Sequence, residues 1–261
     1  MKVSIITISY NQAQFLEKAL LSVIGQGYPE LEYIVVDAGS TDGSREIIEK
    51  YRQRIDQIIF EPDDGPADGL NKGFRVATGE IYGVLNADDM LHPNAVERFV
   101  DAFRSTRSSV ISGHAYVIDH SDRVVGKIYS DRFDPAAYVY GVCVLVQPST
   151  FFKADLFHRV GGFNIQNRVS WDGELWFDFA THGARFGRIS GHWSYFRVHP
   201  GSISGSGRFH GQSMATLAKL GKRIGIENVH DSPLKVWFWF RSKTLNPLIL
   251  LEKLRSRIRL S

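Results

Sequence analysis

The sequence predicts an α/β fold in which a mostly parallel central sheet is flanked by helices. Short apolar segments alternate with helical patterns throughout residues 2–105, and the links between them are short. Such alternation is typical of parallel strands joined by right-handed crossovers. Aspartates also follow two of the predicted strands, at the edge where ligands of parallel sheets bind. The pattern therefore predicts a ligand site where several strand ends meet.

The first half of the chain contains four strand–helix pairs. We predict strands at residues 2–9, 32–37, 55–61 and 81–85, each followed by a helix, at 12–24, 44–54, 66–77 and 93–105. Asn11 is a candidate cap for the first helix, because its side chain can accept a hydrogen bond from the helix amino terminus. Pro93 suits the first turn of the fourth helix.

The second half of the chain is less regular. We predict a hairpin at residues 110–119 and 124–129, strand-like segments at 142–147 and 149–152, a helix at 170–182, short strands at 184–189 and 194–199, a Gly/Ser-rich loop at 201–207, and helices from about residue 210.

The composition is that of a globular protein with a sizeable core. The 261 residues are 43% hydrophobic and 23% charged. A single cysteine, Cys143, excludes a disulfide framework and fits a reducing compartment. A strand begins almost at Met1 with no signal peptide before it, and no apolar run reaches the roughly 18 residues of a membrane span. We therefore expect a cytoplasmic protein.

The carboxyl-terminal segment, residues 219–261, is basic and partly apolar. It carries ten Lys and Arg against three Asp and Glu, whereas the first 218 residues carry 21 against 25. Residues 234–241 and 248–254 mix apolar and basic side chains. We expect this segment to lie on an anionic membrane surface, at the inner face of the plasma membrane. The alternatives are a helical cap on the core and a homodimer contact. We expect no nucleic-acid partner.

The segment Asn86-Ala87-Asp88-Asp89 follows the fourth strand and is the most informative of the chain. Adjacent carboxylates repel each other and persist most easily beside a cation. They predict a divalent metal that holds a phosphorylated substrate. The alternative is a solvated turn that caps the next helix, with Asp89 or Asn94 at its start.

Asp37 and Tyr10 follow the second and first strands. Asp37 can accept a hydrogen bond from a base or ribose, and Tyr10 can stack on the base; the alternative is a turn aspartate and a half-buried aromatic residue. The segment 63–73 brings acids and Lys72 to a helix start, which is an anion site or simply a capped, solvated helix end.

Two further candidates lie late in the chain. Asp172 stands at a helix start between Trp171 and Trp176, where a partly desolvated carboxylate has a raised pKa and can act as a general base. The alternative is a helix-capping aspartate among core tryptophans. His199 follows a strand, and its imidazole is a better ligand for Mn²⁺ than for Mg²⁺; the alternative is a surface or packing role.

Together these segments resemble the family 2 glycosyltransferases, inverting enzymes of the GT-A fold that use nucleotide-sugar donors. The block Asp37-Ala38-Gly39-Ser40-Thr41-Asp42-Gly43-Ser44 resembles the family's most recognisable motif, and Leu85-Asn86-Ala87-Asp88-Asp89 resembles its metal motif. The resemblance extends over residues 2–205. Its other matching segments are residues 4–11, 34–36, 71–74, 77–80, 147–148 and 161–163.

The resemblance implies a role for each matching residue. It implies a divalent metal, Mn²⁺ or Mg²⁺, held by Asp89, Asp88 and His199. It implies that Asp172 is the catalytic base, although the family usually has Glu before this aspartate and the chain has Trp171, so Glu174 remains an alternative. The implied nucleotide contacts are Thr7, Ser9, Tyr10, Asp37, Asp68, Lys72, Asn86 and Asp88.

The resemblance also implies an organisation and an activity. It implies a glycosyltransferase domain at residues 1–208, with a nucleotide-sugar-binding half (1–105) and an acceptor-binding half (106–208), and leaves 209–261 as a helical extension. The implied reaction is the metal-dependent, inverting transfer of a hexose from a nucleoside-diphosphate sugar to a hydroxyl of a saccharide or lipid-linked acceptor. Synthesis of cell-surface polysaccharide or glycolipid is the expected setting.

Three rival functions are weighed against this one. A sugar-nucleotide pyrophosphorylase should have a Gly-rich basic loop after the first strand, where this chain has Ser9-Tyr10-Asn11-Gln12. A dehydrogenase should have a Gly-x-Gly-x-x-Gly turn there, which is also absent. A non-catalytic nucleotide-sugar-binding module remains the alternative, although Asp88, Asp89, Asp172 and His199 are all present.

Overall fold

The computed structural model of this chain describes residues 1–202, 206, 208–230 and 232–245. In chain order the strands are β1 (Val3–Ser9), β2 (Leu31–Asp37), β3 (Gln57–Phe60), β4 (Ile81–Asn86), β5 (Met90–Leu91), β6 (Val110–Ile118), β7 (Val124–Ile128), β8 (Thr150–Lys153) and β9 (Phe186–Arg197). The helices are α1 (Ala13–Ile24), α2 (Ser44–Lys50), α3 (Pro66–Val76), α4 (Ala95–Ser105), α5 (Pro135–Val139), α6 (Ala154–Val160), α7 (Trp171–Thr181), α8 (His210–Arg223) and α9 (Ser232–Leu245).

The first four strands form a parallel sheet in the order β3-β2-β1-β4. The predicted α/β fold with a mostly parallel sheet in this half is confirmed. In the register of the sheet Ser9 lies beside Asp37, and Ile8 lies beside Asn86. The carboxyl ends of three strands therefore meet at one edge, as the sequence predicts.

The second half of the chain extends the same sheet through β8, β6 and β9. β8 runs antiparallel to both β4 and β6, whereas β9 runs parallel to β6. The short strand β5 then pairs antiparallel with β9, with Met90 opposite Tyr195. This pairing brings the end of β9 beside the turn that follows β4.

Apolar side chains cover both faces of the parallel strands, as expected for strands buried on both sides. Ile6 and Val36 pack under α3 with Leu70, while Ile5 packs on the other face. A Cβ at Gly73 of α3 would lie 2.7 Å from Cγ2 of Ile6. Gly73 is therefore required for the close approach of α3 to the sheet.

Several elements of the second half differ from the sequence prediction. The strand predicted at residues 142–147 is absent: residues 142–146 form a loop, held by a 2.7 Å hydrogen bond from Asp131 N–H to the carbonyl of Val144, and a 3-10 helix begins at Gln147. The two strands predicted at 184–189 and 194–199 are one strand, β9, with irregular pairing to β6 near His192. The elements β5, α5 and α6 are too short to give a periodic pattern and were not predicted.

Asn11 does not cap α1. Its backbone is left-handed, with φ of 52°, and its side-chain oxygen accepts a 2.9 Å hydrogen bond from Thr41 N–H. Asn11 therefore ties the loop after β1 to the loop after β2. This contact holds together two of the loops at the ligand edge of the sheet.

The carboxyl-terminal helices pack on the body of the protein. Leu220 of α8 and Val229 are buried in the core. Phe238 of α9 stacks on Tyr140 at 5.2 Å between ring centroids. No helix in the described part of the chain is long and apolar enough to cross a membrane. The apolar segment 248–254 of the sequence prediction lies outside the described residues.

Candidate active site

A cleft of about 540 Å³ opens at the carboxyl edge of the parallel strands. Its lining comes from the loops after β1, β2, β3 and β4, from the segment before α7, and from the end of β9 and the residues that follow it. Five of the residues predicted from the sequence line the cleft: Ser9, Tyr10, Asn86, Asp88 and Asp89. The sheet topology thus brings these five candidates to one place.

The two adjacent aspartates lie in the turn between β4 and β5. Asp89 is 1% exposed, and one carboxylate oxygen accepts a 2.8 Å hydrogen bond from Arg197 N–H. Helix α4 begins only at Ala95, and the Asn94 side chain makes no capping hydrogen bond. Asn94 therefore occupies the N-cap position of α4 without a side-chain cap, whereas Asp89 is buried and lies before the start of this helix.

The carboxyl group of Asp89 is held in an unfavourable environment. Burial raises its pKa well above the usual value, and the neighbouring charge of Asp88 raises it further. The hydrogen bond and positive charge of Arg197 offset only part of this effect. A cation bound beside both carboxylates would remove the repulsion, because an opposite charge favours the ionised form.

His199 lies next to Asp88, with Nε2 3.1 Å from a carboxylate oxygen. Across the described ranges, no three His, Cys, Asp or Glu side chains stand close enough together to form a metal cluster. Carboxylate oxygens and an imidazole nitrogen nevertheless suit Mn²⁺ or Mg²⁺, and the repulsion between the two aspartates calls for a cation. The donor types of Asp88, Asp89 and His199 therefore suit a divalent cation, although only Asp88 and His199 are in contact in this arrangement.

Sequence reasoning did not assign a role to Arg197, the residue that organises this corner. Its side chain is fully buried; Nε donates to the carbonyl of Asp88 at 2.7 Å, and Nη1 donates to the carbonyl of Asp119 at 2.7 Å. Nη2 lies 2.6 Å from a carboxylate oxygen of Asp122. An arginine that follows Tyr195-Phe196 at the end of β9 was the available signal, because such a charge is buried only when paired.

Two polar atoms, at the end of β1 and in the loop after it, have no hydrogen-bond partner in the part of the chain that the structure describes. The Ser9 hydroxyl and the side-chain carbonyl oxygen of Gln12 are buried without a hydrogen-bond partner among the described residues. Tyr10 is 62% exposed, so its ring is free to stack. Buried polar groups are normally hydrogen-bonded, so these atoms are available to a polar ligand of the cleft.

Asp37 and Thr7 lie outside the cleft. The Asp37 carboxylate accepts hydrogen bonds from Ser40 N–H at 2.9 Å and from Arg45 Nε at 2.9 Å. Burial would raise its pKa, but these hydrogen bonds outweigh burial and its pKa is below the usual value. The Thr7 hydroxyl accepts a 3.0 Å hydrogen bond from Tyr33 inside the core. Asp37 thus shapes the loop after β2, and Thr7 contributes to packing.

Asp68 and Lys72 lie on α3 and do not line the cleft either. The Lys72 ammonium is 3.5 Å from the Asp68 carboxylate and 4.0 Å from Glu61. The Asp68 carboxylate also accepts a 3.1 Å hydrogen bond from Asp64 N–H. The two side chains thus form an ion pair, and Asp68 also accepts a backbone hydrogen bond just before the start of α3. Neither side chain is thus placed to contact a ligand in the cleft.

Asp172 lines a second cavity, of about 360 Å³, on the other side of the start of α7. The walls of this cavity include Tyr138, Trp176, Phe209 and His210. Burial raises the pKa of the Asp172 carboxyl, and backbone hydrogen bonds offset only part of this rise. A raised pKa is what a general base requires to work near neutral pH.

Glu174, the alternative base, is engaged elsewhere. Its carboxylate accepts hydrogen bonds from the side-chain amides of Asn164 at 3.0 Å and Asn167 at 2.6 Å. The side chain is 6% exposed and lines neither cavity. Glu174 therefore holds the loop before α7, and Asp172 is the better placed of the two acids.

The chain belongs to glycosyl transferase family 2, whose sequence profile matches residues 4–168. An uncharacterized glycosyltransferase of Nostoc sp. is 36% identical over 128 residues, which are 48% of this chain and 40% of that protein. A Bacillus subtilis protein named for teichuronic acid biosynthesis, TuaG, is 34% identical over 123 residues, 46% of this chain and 48% of that one. The matched segments thus span less than half the length of these relatives.

Two solved structures share the fold of this chain. Staphylococcus aureus TarS (residues 1–349) in complex with UDP has a TM-score of 0.68 and 19% identity, covering 92% of this chain and 70% of that one. The mannosyltransferase PcManGT from Pyrobaculum calidifontis, in complex with GDP-Man and Mn²⁺, has a TM-score of 0.69 and 18% identity, covering 100% of this chain and 81% of that one. The predicted GT-A fold is therefore confirmed.

Proposed function

We propose that this protein transfers a sugar from a nucleoside-diphosphate donor to an acceptor hydroxyl, with inversion at the anomeric carbon. The observation that carries the proposal is one cleft lined by Asp88 and Asp89, by unpartnered polar atoms of Ser9 and Gln12 and by the exposed ring of Tyr10, with His199 3.1 Å from Asp88. Membership of glycosyl transferase family 2 and structural neighbours with bound UDP or GDP-Man give further support.

The donor would bind with its base against Tyr10 and its polar groups at Ser9 and Asn86. Asp88, Asp89 and His199 would hold a divalent cation, which supplies Lewis-acid stabilisation of the departing diphosphate. Arg197 would act through its contacts with Asp88 and Asp89, keeping both carboxylates in place without touching the donor.

Asp172 would accept the proton of the acceptor hydroxyl. As that oxygen forms a bond to the anomeric carbon, the bond from this carbon to the diphosphate oxygen breaks and its electron pair leaves with the nucleotide. Trp171 lines the donor cleft and Asp172 the second cavity, so an acceptor in the second cavity would meet the donor at the start of α7. A single displacement gives inversion.

A panel of nucleotide sugars tests this function. Each donor is incubated with Mn²⁺, with Mg²⁺ or with a chelator, and release of the nucleoside diphosphate is measured with and without saccharide and lipid-linked acceptors. We expect metal-dependent release with one donor class. Metal-dependent binding of nucleotides without turnover of any donor would favour a non-catalytic module instead.

We further propose that α9 docks the enzyme on an anionic membrane surface, close to lipid-linked acceptors. Phe238 and Arg241 face the body, since Arg241 pairs with Asp134 at 3.3 Å. The opposite side of α9 exposes Val236 at 52% and Phe240 at 58%, and Trp239 beside them at 47%. Exposed aromatic side chains on a basic helix are typical of membrane-interface binding.

Flotation on liposomes tests the membrane proposal. We expect the protein to float with vesicles containing phosphatidylglycerol and not with pure phosphatidylcholine vesicles, because the segment is basic. The double variant Val236→Ser/Phe240→Ser should float less than wild type. The matched control is Val124→Ser/Val125→Ser, two exposed valines of β7. Equal flotation of both variants, or self-association that buries α9 instead, would contradict the proposal.

A further inference from the structure

Arg168 is a positively charged residue of the proposed donor cleft. It lies in the loop between α6 and α7 and lines the cleft together with Trp171. The side chain is exposed and makes no hydrogen bond or ion pair within the described ranges. An arginine guanidinium carries five donors in a planar fork that suits phosphate oxygens. Arg168 is therefore free to bind an anionic ligand.

The other arginine of the cleft cannot take this role. The guanidinium of Arg197 is buried, donates to two backbone carbonyls and pairs with Asp122. Its remaining face lies over the ring of Phe15, 4.5 Å from the ring centroid. A ligand would have to break these contacts to reach it. Of the two arginines that line the cleft, only Arg168 is available.

The charges of the cleft require such a cation. Its lining includes four carboxylates, those of Asp63, Asp64, Asp88 and Asp89. A diphosphate would be repelled by them, because like charges at short range cost free energy. A divalent metal would neutralise the charge at Asp88 and Asp89 only. Asp63 and Asp64 stand at the start of α3, on the side of the cleft where Arg168 lies.

The position of Arg168 suits this task. A Cβ placed on Gly65 would lie 3.7 Å from Cγ and 3.9 Å from Nε of Arg168, so the Arg168 side chain runs along the backbone at the start of α3. The Asp63 carboxylate accepts a 2.9 Å hydrogen bond from Gly65 N–H and makes no ion pair with Arg168 among the described residues. The guanidinium can thus bind a ligand at the rim of the cleft without first breaking an ion pair.

We propose that Arg168 binds the diphosphate of the donor and stabilises the nucleoside diphosphate as it departs. The inference rests on the proposed glycosyl transfer. When the bond between the anomeric carbon and the diphosphate oxygen breaks, the electron pair stays on that oxygen. The Arg168 guanidinium donates hydrogen bonds to the diphosphate oxygens and gives up no proton. It complements the metal at Asp88 and Asp89.

The test separates the diphosphate from the rest of the nucleotide. UDP, GDP, ADP, CDP and dTDP are titrated into the wild-type protein with Mn²⁺ by calorimetry, and the tightest binder is compared with its parent nucleoside. We expect Arg168→Gln to weaken diphosphate binding about tenfold or more and to leave nucleoside binding unchanged. Arg168→Lys should lose less affinity for the diphosphate than Arg168→Gln. With the matching donor sugar, Arg168→Gln should also lower kcat.

The matched control is Arg75→Gln, which removes an exposed arginine of α3 outside the cleft. Arg75→Gln should bind the diphosphate like wild type. Wild-type affinity in Arg168→Gln, or an equal loss for diphosphate and nucleoside, would overturn the role of Arg168 and leave the transferase proposal standing. A wild-type protein that binds none of the five diphosphates would overturn the proposed function and this inference with it.

Discussion

Asp89→Asn should abolish metal-dependent binding of the nucleotide-sugar donor while the protein stays folded. The substitution removes one of the two negative charges that we propose hold the cation. The amide oxygen of asparagine can still accept the 2.8 Å hydrogen bond from Arg197 N–H that anchors position 89. Burial and the neighbouring charge of Asp88 make a negative charge at position 89 unfavourable. The neutral asparagine should therefore not lower the melting temperature of the metal-free protein.

Calorimetry of the tightest-binding nucleoside diphosphate, with Mn²⁺ and with a chelator, measures this effect. Wild-type protein should bind more tightly with Mn²⁺, and Asp89→Asn should give the same weak binding in both conditions. Asp101→Asn, on the exposed face of α4, is the matched control and should behave like wild type. A variant at Asp89 that keeps the full Mn²⁺ response would show that the cation is held elsewhere.

Asp172→Asn should lose transfer by about 100-fold or more and keep donor binding, because general base catalysis contributes about that much. The ionised form of Asp172 is the base, and burial raises its pKa. The wild-type transfer rate should therefore fall as the pH drops through this raised pKa. The residual transfer rate of Asp172→Asn should not show this decrease at low pH. A pH profile of kcat for both proteins measures the difference.

Asp172→Asn should reduce transfer but should not reduce the stability of the fold. A carboxyl group whose pKa is raised by folding binds its proton more tightly in the folded state, so it stabilises the fold at low pH and costs stability as the pH rises. Asp172→Asn should therefore melt at the same or a higher temperature than wild type at neutral pH. A role in packing alone would predict a lower melting temperature and unchanged transfer.

Glu174→Gln distinguishes the two acids. This change disturbs the hydrogen bonds from Asn164 and Asn167, so we expect a lower melting temperature and partial retention of transfer. If Glu174→Gln eliminated transfer in a folded protein while Asp172→Asn kept it, Glu174 would be the base. Full transfer by Asp172→Asn would refute its role in any case.

Local patterns of the sequence were enough to determine the parallel half of the fold. The apolar runs that end at Ser9, Asp37 and Asn86 each form a strand, because strand and helix periods depend on near neighbours. The same patterns placed Asp88 and Asp89 at the ligand edge, since parallel strands end on one side. These features could be predicted without knowledge of any long-range contact.

Contacts between distant segments determined which side chains face the cleft. Asp89 is held by Arg197, 108 residues later, through the pairing of β5 with β9 that no local pattern indicated. Asp37, although correctly placed at a strand end, points into its own loop, and Arg168 reaches the cleft from the loop before α7. The direction of a side chain depends on its packing partners, and these are set only when the whole chain folds.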